Sequence, residues 1–578
     1  MPQLRLALAQ MNATVGDLVG NSRLILEAAR TAQAAGAHLP ATPVMSLTGY
    51  PVEDLALRRS FVAASQHRLR ELARELDEAG LGELPVVVGY LGTAAAGMAD
   101  ADPDRPLPQN RAGVLFRGEV VARYAKHHLP NYGVFDEFRI FAPGDRLTVV
   151  RIHGVDVALA ICEDLWQDGG PVAEASAAGA ELLLVINGSP YERDKDDTRL
   201  ALCRRRSAEA GCTLAYLNLV GGQDELVFDG DSIVVSESGE VLARGPQFRE
   251  EVLVVDLDLP VRAVKTSQPD VELTVLTDDE VSAYEPLPAP KAARLDPIGE
   301  VYEAVKLGLG DYARKNGFRS VLLGVSGGID STLVATIAAD ALGGENVVGI
   351  SNPSDYSSQG SMDDAAELAA NLGMDYRVIP IAPMVDVFQK SLSLQGIAAE
   401  NLQARIRAVI WMALNNAEGH LVLANCNNSE VSVGYSTIYG DAVGGFAPIK
   451  DVPKTVVWEL ARWRNAEAER KGEKPPIPLA SITKVPSAEL SPGQTDQDVL
   501  PPYDVLDAIL DRYVEGAEGR AGLIDAGFDE AMVDEVVSMV DRAEWKRRQF
   551  APGPKITELA FGRDRRLPIT SRWREQNS

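Results

Sequence analysis

The sequence predicts an α/β protein of two layered domains, and three observations predict it. Short apolar runs alternate with helical patterns along most of the chain. At 578 residues the chain exceeds what one ordinary hydrophobic core supports. Near the middle the alternation stops in an acidic stretch with five prolines, "QPDVELTVLTDDEVSAYEPLPAPKAARLDP". Residues 1–260 are therefore expected to form one domain, 261–297 a linker and 298–578 a second domain.

Taken in order, "LRLALAQ", "PVVVGY", "VDVALAICED", "AELLLVING" and "CTLAYLNLVGG" read as buried strands. Between them "NSRLILEAARTAQAAGA" and "SFVAASQHRLRELARELDEA" carry the 3.6-residue period of amphipathic helices. After the linker, the helical "IGEVYEAVKLGLGDYARKNG" leads into "SVLLGV", "NVVGIS", "YRVIPI" and "HLVLAN", each followed by a helical pattern. Strands that alternate with helices imply a doubly wound parallel sheet.

Charge and composition exclude some functions. With 83 acidic against 56 basic residues, the net charge of -27 disfavours a nucleic-acid partner, because phosphate backbones are gripped by clustered Lys and Arg. No apolar run approaches the roughly 20 residues of a membrane helix. The start "MPQLRLALAQ" enters a strand pattern rather than an export signal, so a cytoplasmic location without a membrane partner is expected. Cys162, Cys203, Cys212 and Cys426 are too widely spaced for a disulfide framework or a zinc site. The pair His127-His128 does not read as a metal site either, since adjacent side chains on an extended segment point apart.

The strongest motif is "LLGVSGGIDST". A strand runs into Ser326, Gly327, Gly328, Ile329, Asp330 and Ser331 and then a helix, so backbone N–H groups face the turn as in a phosphate cradle. Asp330 is placed to hold Mg²⁺ beside those phosphates. The loop lacks the GK[ST] ending of a Walker motif. It resembles the pyrophosphatase loop of ATP-dependent amidotransferase ligases. With "AENLQARIR", "SEVSVGYSTIYGDAVGGFAPIKDVPKT", "ITKVPSAEL" and "KRRQFAPGPKIT", the second half is similar to the synthetase domain of the glutamine-dependent NAD synthetase family. That resemblance implies an adenine nucleotide α-hydrolase-like fold. It also implies ATP at Ser326 to Ser331 and Asn425, deamido-NAD at Asn401, Glu430 and Lys546, and metal at Asp330 and Glu430. Taken alone, Lys546 in "EWKRRQ" reads as a solvated surface lysine.

The first half resembles the same family's nitrilase-like glutaminase domain, an α-β-β-α sandwich. "AICEDLW", "YAKHHLPNYGVFDEFRIFAPGD" and "NGSPYERDK" carry the likeness. It implies Cys162 as nucleophile, Lys126 beside it to stabilise thiolate and oxyanion, and Tyr132, Ser189 and Lys195 as glutamine contacts. The family places its general base, a glutamate, in the segment matching "HLPATPVMSLTGYP", where Val44 now stands. Loss of a general base commonly costs on the order of 10²–10⁴ in rate. Glu53, Glu137 and Glu163 are close in sequence, but sequence does not show whether any of them reaches Cys162.

The second half departs from the family pattern too. Asn425, Cys426 and Asn428 replace Thr, Gly and Lys, Asn352 replaces Met, and Asp355 and Ser491 stand where basic residues are usual. Drift and altered substrate choice both account for such a set. The expected activity is ATP-dependent amidation of deamido-NAD through an acyl-adenylate, with glutamine or ammonia as nitrogen donor and an impaired glutaminase. A related ligase for a different carboxylic acid and a non-catalytic family member are the alternatives; the intact SGGIDS loop speaks against the last. The family resemblance also implies a homo-oligomer.

Overall fold

The computed structural model describes residues 3–94, 107–259, 270–279, 281 and 284–575. Two compact units emerge, one ending at Arg294 and the other beginning at Leu295, with residues 224–227 counted in the second. The expected boundary at residues 260 and 261 lies outside the described residues.

The first unit is built on two sheets. In one, the strands run in the order Glu251–Asp258, Gln3–Gln10, Leu39–Ala41, Val86–Thr93, Pro108–Phe116 and Glu119–Ala125. In the other the order is Val241–Arg244, Ile233–Val235, Thr213–Leu217, Leu182–Ile186, Val155–Ile161, Leu147–Ile152 and Val271–Val275. The sheets pack against each other, and helices Leu18–Ala34 and Arg59–Leu76 cover the first while Gly170–Ala178 and Lys195–Ala210 cover the second. This is the α-β-β-α sandwich. Burial on both faces explains why these strands read as continuous apolar runs: in Gln3–Gln10 both Leu4, Leu6, Leu8 and the intervening Ala7 are buried, Ala7 against Ala32 of the covering helix. Cys203 and Cys212 sit among Leu183, Leu214 and Ile233 in the core of the second sheet, as small apolar side chains do.

The stretch expected to be linker contributes structure to this unit. Val271–Val275 pairs in parallel with Leu147–Arg151 as the edge of the seven-stranded sheet. Its half-covered edge position accepts Glu272 and Thr274 between Val271, Leu273 and Val275, which is why a search for long apolar runs passes over it.

In the second unit four parallel strands lie in the order Asp375–Val378, Val347–Ser351, Val321–Gly324 and Leu421–Val422. Numbered along the chain this is 3-2-1-4, so the winding reverses between Val321–Gly324 and Leu421–Val422. Ligands of such sheets bind outside the carboxyl ends of the strands at that reversal. Helices Pro297–Lys315, Ile329–Leu342, Gln359–Leu372, Ile397–Glu418 and Lys454–Arg470 flank or extend the sheet. Asp296 caps the first of these through Gly299 N, with Pro297 at the first helical position. A further helical cluster buries Val431, Leu506, Val533 and Val537. Among the described residues no helix is long and apolar enough to cross a membrane.

Candidate active sites

Each unit carries one cluster of reactive side chains. In the first, strand Val155–Ile161 ends at Cys162, whose φ of 49° places an L-residue in the left-handed region at a cost of roughly 1–3 kcal/mol. The surroundings hold this turn. Both oxygens of the buried Asp164 are engaged: Oδ2 accepts from Ile161 N (2.9 Å) and the Tyr124 hydroxyl (2.6 Å), and Oδ1 accepts from His127 N (3.0 Å) and His128 N (2.8 Å). One carboxylate thereby ties the turn at Cys162 to the segment that carries Lys126.

Lys126 is buried, and its Nζ donates to Glu137 Oε2 at 2.6 Å; the other oxygen, Oε1, accepts from the Tyr50 hydroxyl at 3.0 Å. Burial works against the ammonium, but Glu137 outweighs it and holds Lys126 above its ordinary pKa. Burial pushes the Cys162 thiol up to about 11, opposed chiefly by Lys126 and reinforced by Glu163 and Glu137. Glu163 accepts a hydrogen bond from the Tyr132 hydroxyl (2.9 Å), and burial raises its pKa. Ser189 is buried, its N–H donating to Asn218 Oδ1 and its Oγ accepting from Arg199 Nε. Lys195 pairs with Glu192 at 3.1 Å.

Val44 does lie at this site. The Gly188 backbone N–H bonds to the Cys162 sulfur and lowers its pKa. A Cβ on Gly188 would come within 2.7 Å of Val44 Cγ1 and 2.8 Å of Tyr50 Cδ1. The position therefore presents an apolar wall, and of the nearby glutamates Glu137 is already bound by Lys126 and Tyr50.

In the second unit the Ser326–Ser331 turn joins strand Val321–Gly324 to helix Ile329–Leu342. Ser326 Oγ accepts from Gly328 N (3.2 Å) and lies 3.1 Å from Ser331 Oγ, so the two hydroxyls brace the turn from within. Gly327, at φ 79°, passes so close to Ser361 that a Cβ would lie 2.2 Å from its carbonyl oxygen. Beyond the turn, Lys454 Nζ contacts Asp330 Oδ2 and lies 3.6 Å from Glu430 Oε1. Asn427 Nδ2 donates to Asp330 Oδ1 at 2.8 Å, while the same side chain caps helix Asn428–Val433 by accepting from Glu430 N. Glu430 is thus fixed by a capping box, a pattern legible as N-x-x-E. Burial, and then Asp330, push the Glu430 carboxyl well above the carboxylate range. Lys454 is held above its ordinary value because Asp330 and Glu430 outweigh its burial.

Other predicted residues fall in two places. Asn425, after the strand on the far side of the reversal, donates through Nδ2 to Gly324 O (2.8 Å), and its buried Oδ1 has no hydrogen-bond partner among the described residues. Asn401 accepts from Thr437 Oγ1 at 2.7 Å, and Lys546 donates to Gly434 O (2.7 Å) and Ser436 O (3.0 Å), so both border segment 434–437. Lys546 is half-buried over these carbonyls, which corrects its reading as a solvated surface lysine. Several departures from the family pattern are absorbed locally. Asn352 accepts from Trp411 Nε1 at 2.7 Å, Asn428 donates to Asp451 at 3.2 Å, and Cys426 lies in the core beside Val431. Sequence reasoning weighed Glu137 only as a substitute base, not as the partner of Lys126, and it assigned no role to Asp164, Asn427 or Lys454, which bond to Tyr124, to Asp330 and to Asp330 respectively across the chain.

The NAD synthase family pattern matches residues 301–550, and that of the carbon-nitrogen hydrolase family matches residues 5–265. A glutamine-dependent NAD(+) synthetase of Thermotoga maritima is 43% identical, and one of Rhodobacter capsulatus 44%, each alignment covering 100% of both chains. The chain belongs to the glutamine-dependent NAD(+) synthetase family. A solved family structure from Acinetobacter baumannii, in complex with ADP, is 37% identical with a TM-score of 0.72 and covers 98% of each chain.

Two predictions follow from this geometry. With a thiol pKa of about 11, only about one Cys162 in a thousand is thiolate at pH 8. Iodoacetamide labelling of Cys162 should be slow at pH 8 and climb steadily with pH, and Lys126→Met should slow it further; an inflection below pH 9, or indifference to the substitution, would contradict the charge balance described. Gly327→Ala costs roughly 1–2 kcal/mol for the left-handed backbone alone, apart from the clash with Ser361. Thermal unfolding should show Gly327→Ala with a lower Tm than wild type, and an unchanged Tm would contradict the close packing of this turn on Ser361.

Proposed function

We propose that this protein amidates deamido-NAD to NAD at the expense of ATP. The deamido-NAD carboxylate attacks the α-phosphorus, pyrophosphate leaves, and ammonia displaces AMP from the acyl-adenylate. The observation that carries the reading is the Ser326–Ser331 turn at the sheet's reversal, backed by a buried cluster in which one ammonium, Lys454, faces the two carboxylates Asp330 and Glu430. Backbone N–H groups of the turn would hold the leaving phosphates, and Lys454 is the ammonium available to them. Asn401 and Lys546 would orient the acid across segment 434–437.

Mg²⁺ fits this donor set. Two carboxylates share one lysine, burial and then Asp330 raise the Glu430 pKa, and the described residues hold no group of three or more acidic, His or Cys ligands that would form a closed cage. A hard cation that keeps phosphate oxygens in its shell needs one or two carboxylates, and Asp330 and Glu430 would supply them. Bound there, the ion would neutralise charge developing on the pyrophosphate.

For nitrogen, Cys162 and Lys126 would process glutamine, with Tyr132, Ser189 and Lys195 holding it. Val44 leaves that step without its base, so free ammonia is the better donor in this reading. A cytoplasmic setting fits the use of ATP. Exposed Val387, Phe388 and Leu392 on helix Ala382–Leu392, with Ile397 and Val409 on helix Ile397–Glu418, support assembly with a second copy of the chain.

ATP–pyrophosphate exchange tests the acid: exchange with deamido-NAD is expected, and exchange only with another carboxylic acid, or with none, would overturn the reading. NAD formation should proceed much faster with ammonium salts than with glutamine. Val44→Glu should raise glutamine-dependent turnover by about 10²-fold or more; equal wild-type rates with both donors would refute the impaired glutaminase.

A further inference from the structure

The helix Ile397–Glu418 turns two faces to the second unit's site. On one, Asn401 meets Thr437 and Arg405 Nε donates to Ile438 O, where the acid is expected. On the other, Gln403, Arg407 and Trp411 form a stripe at four-residue spacing. Gln403 Nε2 donates to Leu490 O (3.0 Å), Arg407 Nε to Asn352 O (3.1 Å), and Trp411 Nε1 to Asn352 Oδ1 (2.7 Å). Asn352 begins the loop after strand Val347–Ser351, the direct neighbour of the strand that delivers the Ser326 turn, and Val325 N bonds to Ile350 O at 2.9 Å between them. Arg407 therefore stands at the carboxyl edge of the sheet, one strand from the phosphate turn.

Its remaining donors are free. Among the described residues the terminal guanidinium nitrogens of Arg407 make no hydrogen bond and no ion pair, whereas the buried Arg199, Arg244 and Arg547 each hold a carboxylate. Burial lowers the Arg407 pKa to about 10, and Asp441 and Glu489 only partly offset that. The Glu489 carboxylate is committed to Ser358 N and Oγ and to Ser361 Oγ. Lys484, by contrast, is paired with Asp364. Position 355 on the same loop is an acid. A part-buried arginine whose terminal nitrogens hold no anion is an incomplete pair, and a planar fork of donors suits a phosphate.

We propose that Arg407 binds a phosphate oxygen of the ATP held at the Ser326 turn. This rests on the adenylation chemistry proposed above. The phosphate is preferred to the acid's carboxylate because Arg407 lies on the helix face opposite Asn401 and beside the nucleotide loop.

The test compares the full-length chain with Arg407→Gln and Arg407→Lys, with ATP, adenosine and deamido-NAD in equilibrium dialysis at fixed Mg²⁺. Loss of a charge-assisted hydrogen bond predicts ATP affinity about 10- to 100-fold weaker in Arg407→Gln, with adenosine and deamido-NAD within about twofold of wild type. Arg407→Lys keeps the charge without the fork and should lose roughly three- to tenfold. It carries the test alone should Arg407→Gln fail to fold, as judged by thermal unfolding. Unchanged ATP affinity in the folded variants, an equal loss for adenosine, or a loss confined to deamido-NAD would each overturn the assignment. Dialysis reads ATP without an acid present, so a wrong acid assignment would show in the exchange assay and not here.

Discussion

The second unit depends on one buried ammonium. Asp330 arrives on the helix after the phosphate turn, Glu430 on the third position of a capped helix, and Lys454 at the start of helix Lys454–Arg470, more than 120 residues beyond Asp330. Without Lys454 two carboxylates would lie close together in a desolvated site, and breaking a buried pair of this kind typically costs about 3–5 kcal/mol. Asn427 fastens the arrangement by donating to Asp330 while capping the helix of Glu430. One negative charge still remains over. Burial, and then Asp330, raise the Glu430 pKa and so favour its protonated form.

The first unit solves its charge problem differently. Lys126 and Glu137 form a closed pair, further bound by Tyr50, so little net positive charge reaches Cys162. Burial keeps the thiol high, and the paired lysine beside it opposes that only in part. A separate carboxylate at position 44 would accept the thiol proton without breaking this pair. Val44 offers only methyl groups, and recruiting Glu137 instead would strip Lys126 of its buried partner. The two sites thus differ in kind: in one, two carboxylates share a single ammonium, and in the other a buried ammonium and carboxylate are paired one to one.

Much of this was legible in the sequence because it is local. The strand-turn-helix around Ser326 shows itself through adjacent glycines, and the apolar runs locate the central strands of both units because those strands are buried on both faces. What escaped is what depends on distant partners or partial burial. Val271–Val275 mixes acids with valines because an edge strand is only half covered. Lys546 lies in a charged run and looks solvated, yet its ammonium spans two carbonyls brought from residues 434 and 436. Lys454 closes a quoted family motif directly after Pro453, yet nothing in its neighbourhood announces Asp330 as its partner.

The departures from the family pattern bear on how the site attracts anions. Asn352, Asn428 and Cys426 are accommodated by hydrogen bonds or packing within the unit, so they read as local repacking. Asp355 and Ser491 are different, since each stands where a cation is usual and brings none. With a net charge of -27 the chain as a whole repels a triphosphate and a dinucleotide, and long-range steering cannot compensate. Recognition must then come from contacts made at short range in a desolvated setting, where each is worth more than on the surface. Lys454, shared by two carboxylates, and Arg407, whose terminal nitrogens hold no anion among the described residues, are the cations placed for such contacts in the reading proposed above.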